Sequence, residues 1–204
     1  MNRYVKVFII CICLIIFCFT SIYVVRGTDI YLDSFIHEII YNNMVSAGMT
    51  SFMKIISMFG SGYIISIIAL FIIIIVKDNR ERLNIIMCLL LSSVFNNIVL
   101  KGIFRRNRPI YMMIKKDGYS FPSGHSMVST VFYGYLIYLV YKYIDNKIIK
   151  NILICLLIIM ILLICFSRIY LGVHYFSDVI GGISIGLLFL ICFIHFNKKI
   201  IKKG

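Results

Sequence analysis

The chain has 204 residues, is 61% hydrophobic with a mean hydropathy of +0.99, and is only 14% charged, where soluble domains are about a quarter charged. Its apolar residues lie in long continuous blocks, which excludes an ordinary soluble domain and a β-barrel and predicts an all-α polytopic membrane protein. In a chain this apolar, a net charge of +13 points to membrane topology and an anionic partner, not to nucleic acid.

About 20 apolar helical residues cross a hydrocarbon core, and fewer suffice where flanking side chains snorkel. On that basis six spans are expected in a single domain, 1–204. The first covers residues 7–25. Its basic start resembles a signal peptide, but no small-x-small site follows the run, so a retained helix is expected. Residues 27–48 mix acids and amides with Ile30, Phe35, Ile36, Ile39, Ile40 and Met44, the pattern of an amphipathic helix at the interface. Span two covers 55–76, with an irregularity at the Gly-Ser-Gly of 60–62. A charged turn, 77–82, leads to span three, 83–100, and a polar stretch, 101–122, follows. Span four covers 124–141. After a second charged turn, 142–150, come spans five, 151–166, and six, 179–196.

Six spans put both termini on one side, which would hold 12 of the 21 Lys and Arg residues. The positive-inside rule then makes the termini cytoplasmic and places stretches 101–122 and 167–178 together on the extracytoplasmic side of the cell membrane. Seven cysteines, all within apolar runs and without Cys-x-x-Cys spacing, read as buried small apolar residues.

Three groups in the outer stretches carry chemistry. Lys101 and Arg108 are seven residues apart, two turns if the helix continues, and such a pair suits a phosphate; taken alone, it equally describes snorkelling cations at a helix end. In Pro122-Ser123-Gly124-His125, the proline stops an incoming helix and Ser123 is a suitable N-cap. Gly124 admits a ligand to the free N–H groups of the helix start, and His125 brings a proton donor to the same place. In the third group, His174 and Asp178 share a face of a helical turn. There a carboxylate fixes the imidazole tautomer and frees the other nitrogen for attack, and Arg168 adds a bidentate donor. An interfacial His with a capping Asp is the plainer reading of that pair. Zinc on His125, His174 and Asp178 is a further alternative, but the converging cations favour an anion, so neither metal nor cofactor is expected.

Together, Lys101-x6-Arg108-Pro109, Pro122-Ser123-Gly124-His125 and Ser167-Arg168-x5-His174-x3-Asp178 resemble the three-part signature of the type 2 phosphatidic acid phosphatase superfamily, over residues 101–178. The resemblance implies a metal-independent lipid phosphatase. His174 would form a phosphohistidine, Asp178 would orient it, and His125 would protonate the leaving oxygen. Lys101, Arg108, Arg168, Ser123 and the Gly124 N–H would hold the phosphoryl oxygens. The substrate would be a lipid phosphate or diphosphate in the bilayer: undecaprenyl diphosphate or phosphatidylglycerophosphate first, phosphatidic acid next. Transfer to an alcohol acceptor and non-catalytic lipid transport are the rival functions.

Among the remaining residues, Arg105, Arg106, Lys115 and Lys116 fall outside the signature, as attractors of anionic headgroups or as solvated charge. Asn96 and Asn97 are expected to bond between helices, and Gly182 and Gly186 to form a packing face.

Overall fold

The computed structural model describes residues 3–27 and 31–201, and no strand occurs among them. Nine α-helices follow in order: α1 (Arg3–Val25), α2 (Tyr31–Met44), α3 (Ala47–Met58), α4 (Gly62–Ile75), α5 (Asn79–Val94), α6 (Lys101–Phe104), α7 (Gly124–Tyr143), α8 (Lys147–Tyr170) and α9 (Phe176–Ile201). A six-residue π-helical segment, Phe95–Leu100, joins α5 to α6, so one continuous rod runs from Asn79 to Phe104. Ile30, expected in the amphipathic helix, and the tail beyond residue 201 lie outside the described residues.

Among the described residues, four helices are long and apolar enough to cross a membrane: α1, the α5–α6 rod, α8 and α9. The pair α3–α4, bent by 52°, makes a fifth. The break falls at residues 59–61, where the Gly-Ser-Gly suggested one, and Ser61 caps α4 through its side chain. The expected fourth span, α7, has the length but not the composition. Ser126, Ser129, Thr130, Tyr133 and Tyr135 are all buried in it, because α5, α8 and α9 surround it. A helix enclosed by other helices does not meet lipid and need not be apolar.

Packing along α7 depends on small residues. A Cβ at Gly182 of α9 would sit 2.7 Å from the Ser123 carbonyl oxygen, and one at Gly186 would sit 3.0 Å from that of Met127. The expected glycine face of α9 is therefore its contact with α7, and Gly181 extends it against the Phe121 ring. The main core lies between α4, α5, α7, α8 and α9, around Ile65, Ile85, Val131, Phe132 and Ile164. A second, smaller core of Ile40, Met53, Tyr170, Leu171 and Val173 gathers Met112, Met113 and Ile114 of the long loop 105–123. This second core seats the loop against α2, α3 and the end of α8.

Several boundaries move. The first charged turn shrinks, because Asp78 caps α5 and Glu81 is already helical and buried. Glu81 accepts from Lys142 at 2.7 Å and from the Tyr135 hydroxyl, so the two "charged turns" are joined by an ion pair. Of the seven free cysteines, Cys13, Cys88 and Cys165 are buried, and the other four lie on outer helix faces.

Candidate active site

The two outer stretches meet. A cavity of about 220 Å³ is lined by Lys101, Arg108, Lys116, Gly124, His125 and His174, with Asn97, Ser93, Val128, Gly60 and Gly62 completing its wall. No carboxylate lines it.

Lys101 reaches it from the rod. The wide π turn ahead of it sets Asn96 and Asn97 against Gly124, where a Cβ would lie 2.9 Å from Asn96 Nδ2 and 3.8 Å from Lys101 Nζ. A π segment inserted in an α-helix shifts the side chains that follow and often marks a functional site. The asparagines bond each other (Asn96 Nδ2 to Asn97 Oδ1, 3.2 Å) rather than a neighbouring helix. The rod does not continue to Arg108. It ends at Phe104, with Arg105 left-handed at φ 45°, and the loop brings Arg108 back. Helical spacing was thus the wrong reason for pairing Lys101 with Arg108, although both reach the cavity.

Arg108 is held along its length. Its Nε and Nη2 donate to the carbonyls of Gly118 (2.9 Å), Asp117 (3.2 Å) and Tyr119 (3.2 Å), and Nη1 donates to the Val173 carbonyl at 2.8 Å. The same Nη1 lies 3.2 Å from His174 Nε2. A guanidinium only donates, so Nε2 is the bare nitrogen and the imidazole hydrogen is on Nδ1. Nδ1 faces the Ser120 hydroxyl at 3.3 Å and Asp178 Oδ2 at 3.6 Å.

The expected direct His174–Asp178 hydrogen bond is therefore not made, because His174 lies in the turn before α9 and Asp178 in its first turn. Ser120 bridges the two, donating to Asp178 Oδ2 at 2.5 Å, and the Tyr175 N–H donates to the same oxygen at 2.9 Å. No feature of the sequence reading identified Ser120, two residues before Pro122. Burial pushes the His174 imidazole down to about 4; Asp178 pulls it up, and Arg168 and Arg108 push it further down. It is neutral at pH 7, as a nucleophile must be.

His125 stands in the first turn of α7, where Gly60 lets the α3–α4 break approach. A Cβ at Gly60 would lie 3.1 Å from His125 Cδ2. Ser123 caps α7 as expected, accepting from the Ser126 N–H at 3.4 Å and its hydroxyl at 2.9 Å. Its own N–H goes to the Asp178 carbonyl at 3.0 Å, which ties the α7 and α9 starts together. Ser123 and Arg168 lie behind the cavity wall, not in it. Arg168, on the last turn of α8 rather than in a loop, is 1% exposed and donates through Nη1 to Ser57. Its Nε and Nη2 are buried without any hydrogen-bond partner.

Two of the cations outside the signature, read as attractors of anionic headgroups or as solvated charge, have definite places. Lys116 lines the cavity. Arg106 is largely buried and bridges Asp178 and Asp33, at 2.7 and 2.9 Å. Asp33, expected on the wet face of an amphipathic helix, is buried on α2 by that contact.

The match to known proteins follows the same residues. The model of the PAP2 superfamily matches residues 81–202, which includes every signature residue. The chain belongs to the PAP2 superfamily. Among curated proteins it is 38% identical over 107 residues to phosphatidylglycerophosphatase B of Bacillus subtilis (strain 168), 51% of this chain and 52% of that one. It is 32% identical over 108 residues to dolichyldiphosphatase of Saccharomyces cerevisiae, 48% of this chain and 44% of the relative. The aligned stretch thus spans about half the length of these relatives or less. In fold, the chain resembles the crystal structure of the transmembrane PAP2-type phosphatidylglycerolphosphate phosphatase from Bacillus subtilis. The TM-score is 0.79 and the identity 24%, over 92% of this chain and 96% of that one. The PAP2 chain described here thus has the helical transmembrane architecture of that structure.

Proposed function

We propose that this chain is a membrane lipid phosphatase that hydrolyses a lipid phosphate or diphosphate through a phosphohistidine on His174. The observation that carries the reading is the cavity: His174, His125 and three cations face one space without a carboxylate, and Arg168 sits behind it with two buried, unpartnered nitrogens. Such a space is complementary to an anion. Phosphoryl transfer needs mainly positioning and charge stabilisation on the equatorial oxygens, which fixed cations and helix-start N–H groups supply.

In the first step the bare Nε2 of His174 attacks phosphorus. The N–P bond forms, the bond from phosphorus to the leaving oxygen breaks, and His125, protonated once the negative headgroup is bound among the cations, gives that oxygen its proton. Lys101, Arg108 and the Gly124 N–H hold the phosphoryl oxygens at the cavity wall, with Arg168 and Ser123 supporting them from behind it. In the second step His125 takes a proton from water, whose oxygen attacks phosphorus. The N–P bond then breaks, releasing phosphate and restoring His174. No step calls for a metal ion.

The substrate reading is undecaprenyl diphosphate or phosphatidylglycerophosphate, with phosphatidic acid next. Relatives named for phosphatidylglycerophosphate and for a dolichyl diphosphate support it. The layout is six spans in one domain: α1, the bent α3–α4 pair, the α5–α6 rod, α7, α8 and α9. Both termini are cytoplasmic and the cavity opens to the extracytoplasmic side, as the charge bias suggests. The test is phosphate release from a panel of pure lipids by the purified protein in detergent. Release by wild type and none by His174→Ala is expected, unchanged by EDTA. A His174→Ala variant that hydrolyses like wild type would sink the reading. Transfer of phosphate to an added alcohol in place of release would point to a phosphotransferase.

A further inference from the structure

The Arg106 guanidinium touches two carboxylates from different helices. Nη1 donates to Asp178 Oδ1 at 2.7 Å and to the Ser177 hydroxyl at 2.7 Å, and Nη2 donates to Asp33 Oδ2 at 2.9 Å. Its carbon lies 4.0 Å over the Tyr175 ring. Asp33 in turn accepts from the Ser177 N–H (2.8 Å) and hydroxyl (2.6 Å), beside Asp178. Asp178 is 0% exposed, Asp33 5% and Arg106 13%. Burying three charges in this way is a poor route to stability, since desolvation offsets most of the attraction. What such a cluster does well is fix geometry.

We infer that Arg106, braced by Asp33 of α2, is a positioning residue for Asp178 and, through Ser120, for the nucleophile His174. The inference rests on the hydrolase reading of the site. The link is direct. Arg106 takes one carboxylate oxygen of Asp178, so the other is aimed at Ser120 Oγ and the Tyr175 N–H. Ser120 Oγ in turn faces His174 Nδ1. If the carboxylate rotates, the hydroxyl that receives the imidazole hydrogen moves with it. A guanidinium gripping Asp178 alone has rotational freedom. Asp33 removes it by holding the second arm, and α2 becomes part of the catalytic frame although it contributes nothing to the cavity wall.

The test reads His174 directly. The groups facing His174 and Asp178 are Arg106, Arg108 and Lys116 of the loop, Lys101 of α6, His125 of α7, Arg168 of α8 and Ser120; Asp33 of α2, with Tyr111 and Tyr175, stands behind Arg106. Protein labelled with ¹⁵N-histidine is titrated by NMR, with His174→Asn assigning the resonance among the four histidines. Arg106→Gln removes the cation and leaves Asp178 facing His174 unshared, so the His174 midpoint is expected to rise. Arg106→Lys keeps the charge and is expected to return the midpoint toward wild type. In the assay of lipid phosphate release, Arg106→Gln is expected to lower kcat by about 10- to 100-fold, the effect of a misplaced reacting group, with KM changed much less. Asp33→Asn, which keeps the shape but loosens the brace, is expected to lower kcat by a smaller factor without raising the midpoint.

A folded Arg106→Gln protein with wild-type kcat overturns the inference, as does one with an unmoved His174 midpoint. If Arg106→Gln does not fold, Arg106→Lys and Asp33→Asn decide: wild-type kcat in both overturns it. If wild type releases no phosphate from any lipid, the function reading fails, and the titration still supports or overturns the Arg106–His174 link.

Discussion

Arg108 does two jobs at one guanidinium: it pins the loop through three carbonyls and donates to the bare nitrogen of His174. Arg108→Ala is expected to lower kcat/KM by about 10²–10³-fold, roughly 2–4 kcal/mol, as for the loss of a fixed anion donor. Arg108→Lys should recover only part of that, since an ammonium cannot reproduce the fork. His174 gives a pH prediction. Its value of about 4 lies below the ordinary histidine value near 6.5, so the folded state favours the neutral ring. As pH falls below 6.5 the unfolded chain takes a proton that the folded chain refuses, and stability is lost progressively down to about 4; above 6.5 the residue contributes nothing. Once ionisation of the substrate is factored out, the acidic limb of kcat/KM should lie near 4. A limb at 6.5 that moves in a Ser120→Ala protein would contradict the assigned surroundings. At this scale the sequence pointed to candidate residues for the chemistry but not to what each touches. Ser120 and Arg106 both bond Asp178, and neither has a type or spacing that marks it.

The helices are set by their apolar runs, caps and breakers, and most were legible. Ser61, Asp78, Ser123 and Asn146 each cap the helix that follows. The π segment was not legible, because Phe95–Leu100 carries no breaker; Gly124 opposite it leaves the room that its asparagines fill. Glycine contacts decide how closely α9 meets α7. Gly182→Ala places a methyl 2.7 Å from a backbone oxygen that cannot yield without moving the start of α7. It should lower stability in detergent by about 1–3 kcal/mol, read as a drop in Tm, and reduce activity with it. Gly48→Ala on α3, with nothing within 4 Å of the new methyl, should leave Tm unchanged or raise it slightly. Equal Tm values for the two variants would mean that the α7–α9 contact is looser than described.

Two polar clusters occupy opposite ends of the bundle. At one end is the cavity. At the other, Glu81 joins Lys142, Tyr135 and Asn84, and Asn84 accepts from Asn197. The clusters share no residue, so their effects should separate. Glu81→Gln is expected to lower stability by about 1–3 kcal/mol while leaving kcat as in wild type; a matching fall in kcat would show that the ends are coupled. Sidedness is testable on the same frame. In a background without the seven native cysteines, Asp117→Cys should react with an impermeant maleimide on intact cells, and Asp145→Cys only after permeabilisation. The reverse pattern would invert the proposed topology.

The sequence by itself determined that the protein is helical and apolar enough for a membrane, and its resemblance to a three-part signature marked eight candidate site residues. The first follows from local composition; the second is what the family resemblance implies. Only the tertiary structure decided that α7 is a buried hub, that Lys101 and Arg108 meet through a returning loop, and that Ser120 stands between His174 and Asp178. It also placed Arg106 in a clamp with Asp33. Each of these is a contact between residues far apart in the chain, made by helix packing and by the second core, which seats loop 105–123 against α2, α3 and the end of α8. Periodicity along one helix carries no information about such contacts.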